Sequence, residues 1–311
     1  MLDISVVIPA YNEEKYILNS LKSLINQSMA TKINYEVIIV DNNSEDRTKE
    51  KVCEFINYFN NKKKIESSNV EFLLIEEPRR GVAFARETGF RKARGKIIAT
   101  TDADCIVSPL WIRTIYNIFK YNYDYLYYQF LQNFPRKIRK RIINNVNKPI
   151  VAATGLIKFY DDDTYELKVI NKLIPVFLGL GNFFWLFPAL HGSNFAVRKD
   201  YFEIVGGFNT NLKTGEDLDL GVKLSKYGRI VFLPSIVYSS SRRFRKNLLK
   251  AVLIYTFGNF LSHRIFGKPM INELDLARGE RDILYPDKIK QKIKEIVEEL
   301  KEKLSNNHLR K

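Results

Sequence analysis

The sequence is short of cysteine, of acidic residues and of uninterrupted apolar length, and each shortage removes a class of protein. Two cysteines, Cys53 and Cys105, among 311 residues leave no disulfide framework and favour a reducing compartment. Asp plus Glu is 35 against 50 Lys plus Arg, a net charge of +15, which favours nucleotides, nucleic acid or acidic lipid headgroups as partners. Neither Gly-x-Gly-x-x-Gly nor a Walker lysine loop occurs, so nicotinamide oxidoreductase and P-loop phosphotransferase readings lose their main support. The opening Met1-Leu-Asp-Ile-Ser-Val-Val-Ile-Pro9 carries an acid where a signal peptide carries positive charge. This end is expected to stay in the cytoplasm.

Residues 173–190 hold no charge and come near the length of a bilayer span. Pro175, Gly179, Gly181, Asn182 and Pro188 interrupt them, so a straight transmembrane helix fits poorly. A monotopic or re-entrant element fits better, with a buried core helix as the plainer alternative.

What is present is a chain rich enough in apolar residues, 45% of the total, to bury a core. The first 110 residues alternate short β-branched runs with longer amphipathic stretches, the pattern of βαβ units around a largely parallel sheet. Strands are predicted at 4–8, 37–40, 72–75 and 97–101. Leu18, Leu21, Leu24 and Ile25 give the first helix its apolar face, and Val52, Phe55, Ile56 and Phe59 give the second. A third helix, about 82 to 93, packs Ala83, Phe84 and Phe90 and is predicted to end on Gly95 as its C-cap. Residues 111–190 differ: aromatic-rich at first, then basic from Arg136 to Arg141, with no acid until Asp161. A helix from Glu216 to Lys226 and a strand at 229–233 follow. Next come a basic-headed apolar helix over 242–264 and a charged amphipathic tail with Ile289, Ile293, Ile296, Val297, Leu300 and Leu304 on one stripe.

Carboxylates collect where strands end. Asp102-Ala103-Asp104 directly follows the fourth strand, and ligands of open parallel sheets sit at such carboxyl ends. Two carboxylates one residue apart can share a hard divalent cation that bridges a diphosphate; alone, the pattern also suits a solvated turn. Pro9-Ala10-Tyr11-Asn12-Glu13-Glu14 ends the first strand, with Tyr11 able to stack on a base. Asp41-Asn42-Asn43-Ser44 ends the second, with Asp41 suited to a ribose or base edge. Glu77-Pro78-Arg79-Arg80-Gly81 brings cations to the third, and Arg86 follows on the next helix. Glu216 and Asp217 open a helix, where carboxylates favour the positive dipole end. Asp217 is then either part of a charged helix cap or a general base for an acceptor hydroxyl.

Taken in order, these stretches resemble glycosyltransferase family 2, inverting enzymes of the GT-A fold. The resemblance rests on Val6-Val-Ile-Pro-Ala-Tyr-Asn-Glu-Glu14, Val40-Asp-Asn-Asn-Ser44, Arg80-Gly-Val-Ala-Phe-Ala-Arg86 and Asp102-Ala-Asp104. It continues through Gly192-Ser-Asn-Phe-Ala-Val-Arg198, Val205-Gly-Gly-Phe208 and Gly215-Glu-Asp217. It implies an α/β fold, a Rossmann-like mixed sheet with flanking helices, followed by C-terminal amphipathic helices. Residues 1–235 would form the catalytic domain: a nucleotide half at 1–110, a divergent insert at 111–190, and an acceptor and base half at 191–235. Residues 236–311 would form a helical, membrane-associated extension.

The resemblance implies that Pro9, Ala10, Tyr11 and Glu13 bind the nucleotide sugar with Asp41 and Asn43. Arg80, Gly81, Arg86, Asp102, Ala103 and Arg243 would serve the same donor. It assigns Mn²⁺ or Mg²⁺ to Asp102 and Asp104, and the base role to Asp217. His191, Gly192, Asn194 and Glu216 are expected at the acceptor, although a lone histidine is more often structural. The implied reaction moves one sugar from a nucleoside-diphosphate sugar to a hydroxyl with inversion. The Gln-x-x-Arg-Trp motif of processive synthases is absent.

The basic run at 136–141, the apolar run at 173–190 and the basic helix at 242–264 suggest the anionic inner face of the cell membrane and a lipid-linked or glycan acceptor. A soluble enzyme whose extra helices cover the sheet is the plainer alternative. A sugar-nucleotide nucleotidyltransferase would show a Gly-rich, Lys-bearing signature near the N-terminus, which residues 1–20 lack. A non-catalytic basic membrane-binding protein would have no use for both Asp104 and Asp217. Nucleic acid is the partner least expected.

Overall fold

The computed structural model describes residues 2–27, 33–63, 69–123, 148–161 and 190–242, together with Lys168. Three βα units open the chain: β1 (Ile4–Ala10), α1 (Ile17–Ile25), β2 (Tyr35–Asp41), α2 (Thr48–Lys63), β3 (Val70–Glu76) and α3 (Val82–Lys92). Then come β4 (Ile97–Thr100), β5 (Cys105–Val107), α4 (Trp111–Tyr121), β6 (Ile150–Phe159) and β7 (Phe195–Arg198). The elements close with α5 (Lys199–Ile204), α6 (Glu216–Ser225) and β8 (Arg229–Ser239). One eight-stranded sheet runs in the order β3-β2-β1-β4-β7-β6-β8-β5. Strands β1 to β4 are mutually parallel. The antiparallel β7 separates them from the parallel pair β6 and β8.

The central strands read as apolar runs because helices cover both faces of the sheet. All seven residues of β2 are buried. On one side Ile17, Leu21 and Leu24 of α1 and Trp111, Ile112 and Ile115 of α4 complete the core. On the other, Phe90 of α3 meets Phe195, Phe202 and Phe208 at ring-centroid separations of 6.0, 5.0 and 4.9 Å. Burial of aromatic surface on this scale is a leading contribution to a core's stability.

Four local expectations change. Ile25 closes α1 half-exposed, outside the buried face. Phe84 is only partly covered and carries the Arg79 guanidinium over its ring at 4.6 Å. Helix α3 stops at Ala93, which turns to extended backbone at ψ 132°, so Gly95 is not its C-cap. Gly95 instead packs against β1, where an added Cβ would lie 2.6 Å from the Ile4 carbonyl carbon. Strand β8 continues past Leu233 to Ser239. The register slips between Gly155 and Ile157 on β6, opposite Leu233 and Val237, where Pro234 has no N–H to give the ladder.

The chain divides into units 1–241 and 242–311. The basic run, most of the apolar run at 173–190, Arg243 and the C-terminal helices expected from sequence lie outside the described residues. Among the described residues no helix is long and apolar enough to cross a membrane.

Candidate functional site

The parallel register aligns Ala10 with Asp41 and Asp41 with Glu76, so three strands deliver their following residues to one edge. Asn12 and Asn43 turn there with positive φ, 54° and 61°, a conformation asparagine tolerates. The loop after β1 is strapped to the one after β2. The Glu45 N–H donates to Asn12 Oδ1 at 2.8 Å, and the Glu13 N–H donates to Thr48 Oγ1 at 2.7 Å. Pro9 lies in β1 beside Val40, and buried Ala10 accepts the Asn42 N–H through its carbonyl at 2.8 Å. Asp41 is buried. Its Oδ2 accepts the Ser44 N–H at 3.3 Å, while Oδ1 has no protein partner among the described residues.

Buried Asn42, rather than the exposed Asn43 expected from sequence, organises the third loop. Its amide donates to the carbonyls of Glu77 and Arg79 at 2.9 and 2.7 Å and accepts the Gly81 N–H at 2.8 Å. Gly81 sits at φ +140°, a region that only glycine enters cheaply. Buried Glu77 takes Arg79 in a two-pronged pair at 2.8 Å. That pairing, with Thr88, lowers its pKa to about 2. Arg80 pairs with Glu45 and lies 5.1 Å over the Tyr11 ring, which keeps a cation and an aromatic face together at the expected nucleotide site.

After β4, oxygens of Asp102 and Asp104 and the Cys105 sulfur lie within 4.8 Å of one another. Ala103 is buried between them. Two carboxylates with that spacing fit a hard divalent cation. The Cys105 thiol is pushed well up by burial and the nearby Asp104 and Asp102 carboxylates.

The second cluster forms around Arg86. This guanidinium is buried, pairs through Nη1 with Glu216, and donates through Nη2 to Asp102 Oδ1 at 2.8 Å and the Gly192 carbonyl at 2.9 Å. Nη1 and Nη2 are thus committed to protein acceptors. Glu216 is likewise buried against Arg86. Asp217 Oδ2 accepts the Gly192 N–H at 2.7 Å and Oδ1 the Leu218 N–H at 2.8 Å. Burial raises the pKa of Glu216 and of Asp217, partly countered by Arg86.

His191 holds its Nδ1 at 3.0 Å from the Gly155 carbonyl, which requires an Nδ1–H donor. Burial lowers its pKa, and Nε2 is left without a partner among the described residues. Asn194 is the clearest departure from expectation. It is fully buried, and its amide is used up on Trp111, Leu156 and Ser235, so it supports the sheet and reaches no acceptor.

The defining pattern of Glycosyl transferase family 2 matches residues 5–206. The chain belongs to that family. Its Asp-x-Asp stands at Asp102 and Asp104, and its mixed sheet is the GT-A fold. The chain is 36% identical to glycosyltransferase AglE of Haloferax volcanii over 109 residues, 35% of this chain and 33% of that protein. A dolichyl N-acetyl-α-D-glucosaminyl phosphate 3-β-D-2,3-diacetamido-2,3-dideoxy-β-D-glucuronosyltransferase of Methanococcus voltae is 26% identical, over 81% of this chain and 71% of its own. The mannosyltransferase PcManGT of Pyrobaculum calidifontis, solved with GDP-Man and Mn²⁺, shares the fold. Its TM-score is 0.53 at 22% identity, over 78% of this chain and 60% of that one. Against both the Haloferax protein and this mannosyltransferase, the chain spans less than two thirds of the relative's length.

Proposed function

We propose that this family 2 glycosyltransferase moves one sugar from a nucleoside-diphosphate sugar to an acceptor hydroxyl with inversion. Asp217 acts as the base. The acceptor oxygen forms its bond to the anomeric carbon while the bond from that carbon to the diphosphate oxygen breaks, and the hydroxyl proton passes to the Asp217 carboxylate. The nucleoside diphosphate leaves. Asp102 and Asp104 would hold Mn²⁺ or Mg²⁺, which supplies charge neutralisation on the departing diphosphate. The observation that carries the reading is the placement of Asp217. Two backbone N–H groups fix its carboxylate at the start of α6, and Arg86 joins that cluster to the Asp102 edge.

The nucleotide half positions the donor. Asp41 contributes a buried carboxylate oxygen without a partner among the described residues, Tyr11 an aromatic face, and the Asn42-pinned loop brings Arg80 and Gly81 to the same edge. His191 and Gly192 line the acceptor side, and Arg243 is assigned to the diphosphate. The proposed acceptor is lipid-linked and met at the cytoplasmic face of the membrane. The +15 charge and the lipid phosphate named for the Methanococcus relative support this. The catalytic domain runs to the end of the sheet, residues 1–241, rather than stopping at 235 inside β8, and 242–311 serve as a membrane-associated extension.

A calorimetric panel of UDP, GDP and dTDP sugars with and without Mn²⁺ tests the donor and metal. Asp217→Asn is expected to bind the donor as wild type does and to lose transfer; equal transfer by that variant refutes the base. Flotation with anionic liposomes tests the membrane assignment, and protein that stays out of the lipid fraction refutes it.

A further inference from the structure

We infer that Arg86 is a positioning residue that couples the cation site at Asp102 and Asp104 to the base helix α6. The inference rests on the roles proposed above for those carboxylates. Three hydrogen bonds in series join the two: Asp102 to Arg86 at 2.8 Å, Arg86 to the Gly192 carbonyl at 2.9 Å, and the Gly192 N–H to Asp217 at 2.7 Å. Nη1 adds the pair with Glu216. Helix α3, the end of β4, the turn before β7 and the start of α6 therefore meet on one guanidinium.

Two further observations say that the fork is placed for these partners. Arg86 Nε is buried with no partner among the described residues, so the side chain tolerates an unsatisfied donor to keep its ends where they are. At position 192 an added Cβ would stand 2.7 Å from Nη2 and 2.9 Å from Nη1, so only glycine lets the carbonyl approach. A lysine carries the same charge but cannot face acceptors on two sides of a plane.

The consequence is a competition. A cation bound at Asp102 draws on a carboxylate that Arg86 also holds. As Asp102 gives up its share of the guanidinium, Glu216 and Asp217 gain it. Linkage makes the effect reciprocal: the state of the α6 carboxylates sets the affinity of the cation site.

Mn²⁺ alone tests this on the full chain, with free Mn²⁺ read by electron paramagnetic resonance and no substrate present. Arg86→Lys keeps the charge and releases Asp102, so it is expected to bind Mn²⁺ at least about fivefold tighter than wild type, the lower range of coupled sites. Glu216→Gln lets Arg86 lean on Asp102 and is expected to weaken Mn²⁺; unchanged or tighter binding overturns the coupling, which protects the test should Arg86→Lys fold poorly. A second readout is the Asp217 carboxyl carbon resonance, identified by its loss in Asp217→Asn. Arg86 of α3, Asp102 after β4 and Glu216 on its own helix are the charges that act on it, and in Arg86→Gln, which removes the opposing positive charge, it is expected to titrate at higher pH. A loss of packing alone would lower thermal stability without tightening Mn²⁺. Wild type that binds no Mn²⁺ refutes the metal assignment and the coupling together. Mn²⁺ that binds wild type, is lost in Asp102→Asn and is indifferent to Arg86→Lys refutes the coupling alone.

Discussion

The Nε1–H of Trp111 donates to Oδ1 of Asn194 at 2.8 Å, joining the first turn of α4 to the residue that precedes β7. Both side chains are fully buried. The other end of the amide donates to the Leu156 and Ser235 carbonyls, each at 2.9 Å. Asn194→Ala would strand an indole N–H and two carbonyls. Each unsatisfied buried group costs about 1–3 kcal/mol, so urea unfolding is expected to show a loss of several kcal/mol. Asn194→Asp places a carboxylate against two carbonyl oxygens and is expected to be worse.

Gly192→Ala probes a different kind of limit. The new methyl would stand 2.7 Å from Arg86 Nη2, so either the guanidinium or the turn must move. Transfer is expected to fall by about a hundredfold or more, the scale of a misplaced catalytic group. Stability, read by thermal unfolding, is expected to fall much less, because the turn is only partly buried.

The pH dependence of transfer follows from Asp217. Burial lifts its pKa above the ordinary carboxylate value of 3.8, with Asp102 adding to the rise and Arg86 and two backbone donors opposing it. A base must be deprotonated, so kcat/KM is expected to fall as pH drops through that raised pKa. The limb belongs to the Glu216 and Asp217 pair jointly. Glu216→Gln removes one buried carboxylate and is expected to move the limb to lower pH, which a profile from pH 4 to 8 would read.

Glu77 gives the opposite sign for folding. Its pKa is depressed from 4.5 to about 2 by Arg79 and Thr88. It therefore contributes stability above about pH 4.5 that is lost as pH falls towards 2. Glu77→Gln is expected to be less stable than wild type at neutral pH, with the gap closing in acid. Denaturant midpoints at pH 7 and pH 3 check this.

Much of the fold could be read from pattern, because β-branched runs and 3.6-residue spacing report burial directly. Val52, Phe59 and Phe90 pack where their spacing put them. The departures have a common cause: adjacent residues point in different directions. Glu216 and Asp217 are neighbours in sequence, yet one pairs with Arg86 and the other takes the Gly192 N–H. Asn42 and Asn43 divide in the same way, one buried against the loop after β3 and the other exposed. Strand ends locate the carboxylates, but which cation answers them depends on contacts 130 residues apart, as for Arg86 and Glu216.

Strand β7 runs against its neighbours, with Phe195 beside Thr100. Its beginning therefore lies where the parallel strands finish. His191 and Gly192, which lead into β7, stand at the edge where β1 and β4 end. On the proposed assignment of roles, a change in the turn that enters this reversed strand would alter the acceptor side and leave the donor loops as they are.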